Sequence, residues 1–306
     1  MDNVKKFLIT GGTVFASKYT AEYFVSKGYE VYVLNRNTRP QITGVKLIEA
    51  DRHCLADILK DKEFDVVIDI TAYNASDIID LTDALESYGK YIMISSSAVY
   101  PETGAQPFKE DSTISENRFW GKYGTDKIEA EMELLKRIPD AYIIRPPYLY
   151  GPMNNVYREA FVFDCAINDR KFYLPGDGEM KLQFFYIRDL CRIIESIICE
   201  EPNEHIINVG NNEPVTVKEW VTLCYECACK KPDFVNVFEK IEQREYFSFY
   251  DYEYILDVTR QNKIISETTT LKEGLMESYK WYCEHKEDVR RKPYIEFIDT
   301  NLSKAR

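Results

Sequence analysis

In the first half of the chain, short apolar runs alternate with longer stretches of helical spacing. Phe7–Thr10, Glu30–Leu34, Lys46–Ala50, Asp65–Ile70, Lys90–Ser95 and Ala141–Arg145 are each four to six residues long and rich in β-branched and aromatic side chains. Such composition suits strands buried on both faces. Between them, Lys18–Lys27, ended by Gly28, and Ser76–Ser87 carry helical patterns. The alternation predicts an α/β chain, a parallel sheet wrapped by helices.

Beyond Pro152 the regularity loosens, and turn signals such as Pro175-Gly176-Asp177-Gly178 separate longer aromatic-rich segments. Phe184–Ile187 and Asn208–Gly210 read as returns to the sheet. The expected organisation is a nucleotide-binding domain over residues 1–152 and a smaller α/β substrate-facing domain over 153–306. Segments near 183–210 are expected to return to the first domain, so the two are interleaved. The aromatic run Tyr246–Tyr254 reads as core and interface rather than as a stacking platform.

With 306 residues, 29% charged and 45% hydrophobic, the chain can bury a substantial core. A formal net charge of −12 and the lack of a basic stripe argue against a nucleic-acid partner. The N-terminal stretch Met1–Lys6 runs straight into a strand, and no apolar run is long enough to span a bilayer, so a cytoplasmic protein is expected. Eight irregularly spaced cysteines fit a reducing compartment. Cys224, Cys227 and Cys229 form a cluster without the partners of a tetrahedral site, so no metal is expected. His53, His205 and His285 stand in unrelated contexts, none of them that of a ligand or base.

Two segments carry candidate chemistry. Tyr123 and Lys127 are four apart in a helical stretch, which puts both side chains on one face. A phenol titrates near ~10, and a neighbouring ammonium stabilises the phenolate, so the pair can serve in proton transfer beside a hydride carrier. Strand one runs into Thr10-Gly11-Gly12-Thr13-Val14-Phe15-Ala16-Ser17 and then a helix, the place where backbone N–H groups meet a pyrophosphate. Of the three glycines of a Gly-x-x-Gly-x-x-Gly loop only Gly11 is present; Val14 and Ser17 replace the others. The end of strand two is Asn35 followed by Arg36, with Arg39 close by, instead of the acidic residue that binds the ribose hydroxyl of NAD. A guanidinium there pairs with a 2′-phosphate, so NADP is favoured over NAD. Asp51 and Arg52, after strand three, are expected on the adenine side, and the small residues Thr71 and Ala72 along the cofactor edge of strand four.

Taken together with Ile94–Tyr100, Arg145–Pro152 and Phe185–Leu190, these segments resemble the extended short-chain dehydrogenase/reductases, the NAD-dependent epimerase/dehydratase group, in the branch whose first loop reads Gly-Gly-Thr-x-Phe. The resemblance implies a Rossmann-like, doubly wound parallel sheet and an NAD(P)-dependent oxidoreductase or epimerase acting on a sugar, expected to be nucleotide-linked. Ser96 would hold the reacting oxygen, Tyr123 would be the general acid/base, and Lys127 would bind the nicotinamide ribose. Pro146, Pro147 and Tyr148 would flank the nicotinamide, and Ser95 would also contact the cofactor. Ser97 and Ala98 stand where 4,6-dehydratases carry an acid pair, which implies that this chain is not one of them. Leu182 stands where nucleotide-sugar epimerases place a diphosphate-binding arginine, leaving Lys181 or Arg244 as substitutes. Homodimerisation through the helices after strands four and five is implied as well. The alternative is a non-catalytic, nucleotide-sensing or RNA-associated member of the same fold.

Overall fold

The computed structural model of the chain describes residues 4–303, so Met1–Asn3 of the expected N-terminal lead-in lie outside it. Along the chain the first elements are β1 (Lys6–Thr10), α1 (Phe15–Ser26), β2 (Glu30–Asn35), β3 (Lys46–Glu49) and β4 (Glu63–Asp69). Then come α2 (Ala75–Ala84), β5 (Ser87–Ile94), α3 (Lys122–Arg137), β6 (Tyr142–Arg145) and β7 (Tyr148–Tyr150). The second half holds α4 (Glu159–Ile167), β8 (Phe172–Pro175), β9 (Lys181–Leu182), β10 (Phe184–Tyr186), α5 (Ile187–Glu200) and β11 (Ile206–Asn208). It continues with β12 (Val215–Thr216), α6 (Val217–Cys227), β13 (Phe234–Val237), α7 (Thr259–Ile264) and α8 (Leu271–Glu284).

Seven strands form one sheet in the order β11-β6-β5-β4-β1-β2-β3. Every neighbouring pair in it is parallel. This is a Rossmann-like, doubly wound α/β sheet. Its order reverses between β1 and β4, and in open sheets of this kind the crevice at the carboxyl ends of the strands, at such a reversal, is where ligands bind. Phe7, Leu8, Ile9, Val67, Ile68, Ile92, Met93, Ile143 and Ile144 are fully buried, as strands covered on both faces require.

The local limits differ from the sequence reading at several places. α1 starts at Phe15, three residues early, because Val14 is the extended residue before the helix (φ −138, ψ 135). α2 ends at Ala84: it is opened by a capping box between Asn74 and Asp77, and extended backbone at Leu85 leads into β5. The run Phe184–Ile187 does not rejoin the large sheet. Phe184–Tyr186 pairs with β7 in a two-stranded ladder, and Ile187 opens α5. An all-apolar triplet satisfies either partner, so its pattern could not choose. The seventh strand of the sheet is β11, two residues before the expected return, because Ile206 and Ile207 register against Ile143 and Ile144.

The chain divides into two compact units. The first comprises the described residues up to Leu149, with Phe185–Gly210 and Leu256–Thr268. The second comprises Tyr150–Phe184, Asn211–Ile255 and the described residues from Thr269 onward. In the second unit Trp220 stacks on Phe184 at 5.6 Å between centroids and meets Phe249 edge-on at 5.1 Å; Tyr246, Phe247, Phe249 and Tyr254 of the aromatic run are buried.

In the first unit, a buried ion pair ties the late elements together. Arg145, the last residue of β6, donates to both carboxylate oxygens of Glu131 on α3, at 3.0 and 2.6 Å. Ser95 Oγ, just past β5, donates to the same carboxylate at 2.5 Å. Arg145 also donates to Tyr100 Oη at 2.8 Å, and Tyr100 Oη donates in turn to Asn208 Oδ1 of β11 at 2.8 Å. Removing one member of a buried pair strands the other charge, so Arg145→Met should lower the unfolding free energy by about 3–5 kcal/mol. Urea unfolding measures this, and adding Glu131→Gln should recover most of the loss.

Candidate active site

At the end of β1 the chain turns through Gly11 (φ +90) and Gly12 (φ +93), conformations that favour glycine. A Cβ on Gly11 would stand 2.8 Å from Ser17 Oγ, and one on Gly12 would stand 2.6 Å from Val33 Cγ1. Val14 keeps an ordinary extended backbone, and the left-handed conformation falls instead on Phe15 (φ +35), a strained choice for an aromatic residue. Val14 O accepts from Ser17 Oγ at 3.0 Å. No side chain caps the start of α1, and no acidic residue lies in its first turn. The positive end of that helix therefore carries free N–H donors and no competing carboxylate.

Around this loop several of the expected contact residues are engaged within the protein. Thr10 Oγ1 donates to Asp69 at 2.7 Å and accepts from the backbone of Ile70 and Thr71 at 2.9 and 3.0 Å. Asn35 Nδ2 donates to Gly11 O at 2.7 Å and so holds the glycine turn. Arg36 and Arg39 are exposed. The Asp51 carboxylate accepts from the backbone N–H of His53 at 3.0 Å. Arg52 is turned inward to Asp69 at 3.0 Å, to Thr71 Oγ1 at 3.1 Å and to Asp77 O at 2.6 Å. Burial works to raise the Asp69 carboxyl, but the Arg52 charge and the hydrogen bonds from Arg52, Tyr91 and Thr10 hold it below its ordinary value.

The helical pair is split between solvent and interior. Tyr123 is 38% exposed, whereas Lys127, one turn on, is 2% exposed. Lys127 Nζ donates to Ala72 O at 2.6 Å and Ile94 O at 2.9 Å, the carbonyls just beyond β4 and at the end of β5. The ring of Tyr73 lies 5.2 Å from the same nitrogen. Burial pulls the Lys127 ammonium down to about 8, opposed by the charges of Asp69, Glu131 and Asp77.

Ser96 opens a short 3-10 turn over Ser97–Val99, and its Oγ accepts from Ala98 N at 3.2 Å. Gly124, beside Tyr123, faces Ala98 so closely that a Cβ would stand 2.6 Å from its carbonyl oxygen. The missing side chain lets the first turn of α3 press onto the serine turn. Ser97 N donates to Pro146 O at 2.9 Å and Ser95 N to Ile144 O at 2.8 Å. Trp120 lies between Tyr123 and Tyr148, at 5.9 and 6.2 Å centroid to centroid. The serine turn, Tyr123, Pro146 and Tyr148 are thus brought to one edge of the sheet. Sequence reasoning passed over Tyr73, Gly124, Asp69 and Glu131. Glu131 had a signal, since it repeats the four-residue step from Tyr123 to Lys127.

In the second unit, Arg244 donates to Ser248 O and lies 4.9 Å over the ring of Tyr250, while Lys181 is exposed. Cys224 and Cys227 are buried and Cys229 is exposed. Among the described residues no group of three or more His, Cys, Asp or Glu is placed to hold a metal ion. No helix among them is long and apolar enough to cross a membrane.

Comparison with known proteins gives a consistent picture. The model of the NAD dependent epimerase/dehydratase family matches residues 7–210. The chloroplast stem-loop binding protein of 41 kDa b from Arabidopsis thaliana is 25% identical over 301 residues, covering 90% of this chain and 78% of that protein. The crystal structure of a dTDP-glucose 4,6-dehydratase from Bacillus anthracis, in complex with NAD, superposes with a TM-score of 0.75 at 17% identity, covering 94% and 99% of the two chains. That of a UDP-glucuronic acid 4-epimerase from Bacillus cereus, with UDP-glucuronic acid and NAD, gives 0.71 at 19% identity, covering 91% and 99%. Both structural likenesses are likenesses of fold.

The Lys127 burial has a consequence for stability. Its folded value of about 8 lies below the ordinary 10.5, so between those pH values the unfolded chain holds a proton that the folded chain lacks. Stability from this group therefore rises with pH across that window, by about 3 kcal/mol. Urea unfolding at pH 8 and 10.5 should show that increment in the native protein relative to Lys127→Met.

Proposed function

The chain belongs to the NAD dependent epimerase/dehydratase family, and from that premise we propose an NAD(P)-dependent oxidoreductase or epimerase acting on a nucleotide-linked sugar. The single observation that carries this reading is the α3 stripe: an accessible phenol, Tyr123, one turn from a buried ammonium, Lys127, beside the Ser96 turn. A buried ammonium stabilises a neighbouring phenolate and lets the phenol exchange a proton near neutral pH. Two of the three N–H donors of Lys127 are taken by carbonyls, which leaves one for a ribose hydroxyl. Ser96 would hold the reacting oxygen of the sugar while Tyr123 gives or takes its proton.

The uncapped start of α1 and the two Cβ-free glycines fit a pyrophosphate, held by the backbone of Gly11, Gly12, Thr13, Val14 and Phe15. When bound, the dinucleotide supplies the hydride carrier. Asn35 in place of a carboxylate, with Arg36 and Arg39 exposed, supports a preference for NADP. Ser97 and Ala98, both buried, offer no acid to expel a hydroxyl, which supports a reaction other than 4,6-dehydration.

A second reading, an RNA-associated protein without turnover, is favoured by one observation, the likeness to the stem-loop binding protein of Arabidopsis thaliana. The formal net charge of −12 weighs against it. Filter binding of a stem-loop RNA at low salt tests it, and retention is not expected.

With a panel of nucleotide sugars, Tyr123→Phe should lower turnover about 10²–10⁴-fold. Cofactor binding, followed by fluorescence titration, should be unchanged. Full activity in Tyr123→Phe removes the mechanism. The nucleotide that co-purifies separates the two reactions, because tightly held NAD fits an epimerase and exchangeable NADPH a reductase.

A further inference from the structure

We propose that Asp69 and Glu131, two buried carboxylates each clamped by an arginine, are positioning residues that fix the Lys127 ammonium on the two carbonyls holding it. The inference rests on the reading of Lys127 as part of the proton-transfer pair and extends it to two residues outside that pair.

The carbonyls belong to Ala72, three residues after Asp69, and to Ile94, directly before Ser95, whose hydroxyl donates to Glu131. On the β4 side, Asp69 accepts from Thr10 Oγ1 at 2.7 Å, Tyr91 Oη at 2.7 Å and Arg52 at 3.0 Å. Thr10 Oγ1 accepts in turn from Ile70 N and Thr71 N, so the backbone is pinned up to the residue before Ala72. On the β5 side, Glu131 is held by two bonds from Arg145 and takes a third from Ser95, the residue directly after Ile94.

An ammonium removed from water needs both acceptors and counter-charge. The carbonyls supply the first and the carboxylates the second. Asp77 of α2 adds its charge from the same side as Arg52, and the Tyr73 ring lies 5.2 Å from Nζ. Lys127, Arg52 and Arg145 thus stand against Asp69, Asp77 and Glu131, three cations to three carboxylates. Losing either clamped carboxylate leaves the cluster with an excess positive charge beside Lys127, which favours the neutral amine.

The test is the titration of Lys127 in the full-length protein, read by NMR of chains labelled at lysine Cε, with the resonance assigned by Lys127→Arg. Asp69→Asn and Glu131→Gln should each move the Lys127 midpoint down by about one pH unit. The double variant E131Q/R145M strands no charge and guards against loss of the fold; it should move the midpoint less, in the same direction. An unmoved midpoint in the folded variants overturns the proposal. The signal reads Lys127 whether or not the protein turns over a sugar. A shifted midpoint in an inactive protein therefore supports this inference while sinking the functional reading, and an unmoved one in an active protein does the reverse.

Discussion

The Lys127 ammonium, taken out of water and set on the carbonyls of Ala72 and Ile94, is the constraint around which the first unit is organised. A buried cation is tolerated only where acceptors and opposite charge are already in place. That requirement explains why β4 and β5 end in fixed peptides, why Asp69 and Glu131 are buried, and why each is held by an arginine. Lys127 and Glu131, one turn apart and both buried, also anchor α3 through their hydrogen bonds. Tyr123 takes its position from the same anchors.

Close approach matters as much as charge. α3 can press onto the serine turn only because Gly124 has no side chain to meet Ala98 O. The loop after β1 likewise needs the bare backbone of Gly11 and Gly12, with Ser17 and Val33 packed against them. Phe15 then takes the left-handed conformation that a glycine-richer loop would place elsewhere. Strain of this kind persists only where the surrounding packing over-determines it, and the buried face of α1 provides that packing.

Much of the first unit was legible in the linear chain. Each run predicted as one of the first six strands forms a strand whose ends lie within three residues of those expected. The helical step between Tyr123 and Lys127 falls on α3 as the spacing required. Less was legible where a residue had two ways to satisfy itself. Arg52 follows β3 where a cofactor contact is expected, but Asp69, seventeen positions later, captures its guanidinium. Asn35 ends β2 where a ribose contact is expected, yet its amide closes on Gly11 O. The return of Leu256–Thr268 to the first unit went unseen, because Gln261 is bound there through Gly210 of a distant segment.

By itself the sequence determined the alternation of strands and helices, the glycine turn after β1 and the polar stripe along α3. These depend on backbone preference and on periods of two and 3.6, which act over a few residues. Only the tertiary structure decided the strand order, the partner of Phe184–Tyr186, the inward turn of Arg52 and the contrast between an exposed Tyr123 and a buried Lys127. Those outcomes depend on which groups separated by tens of residues share one desolvated space. The energy of a buried charge belongs to that space and is not a property of any local segment.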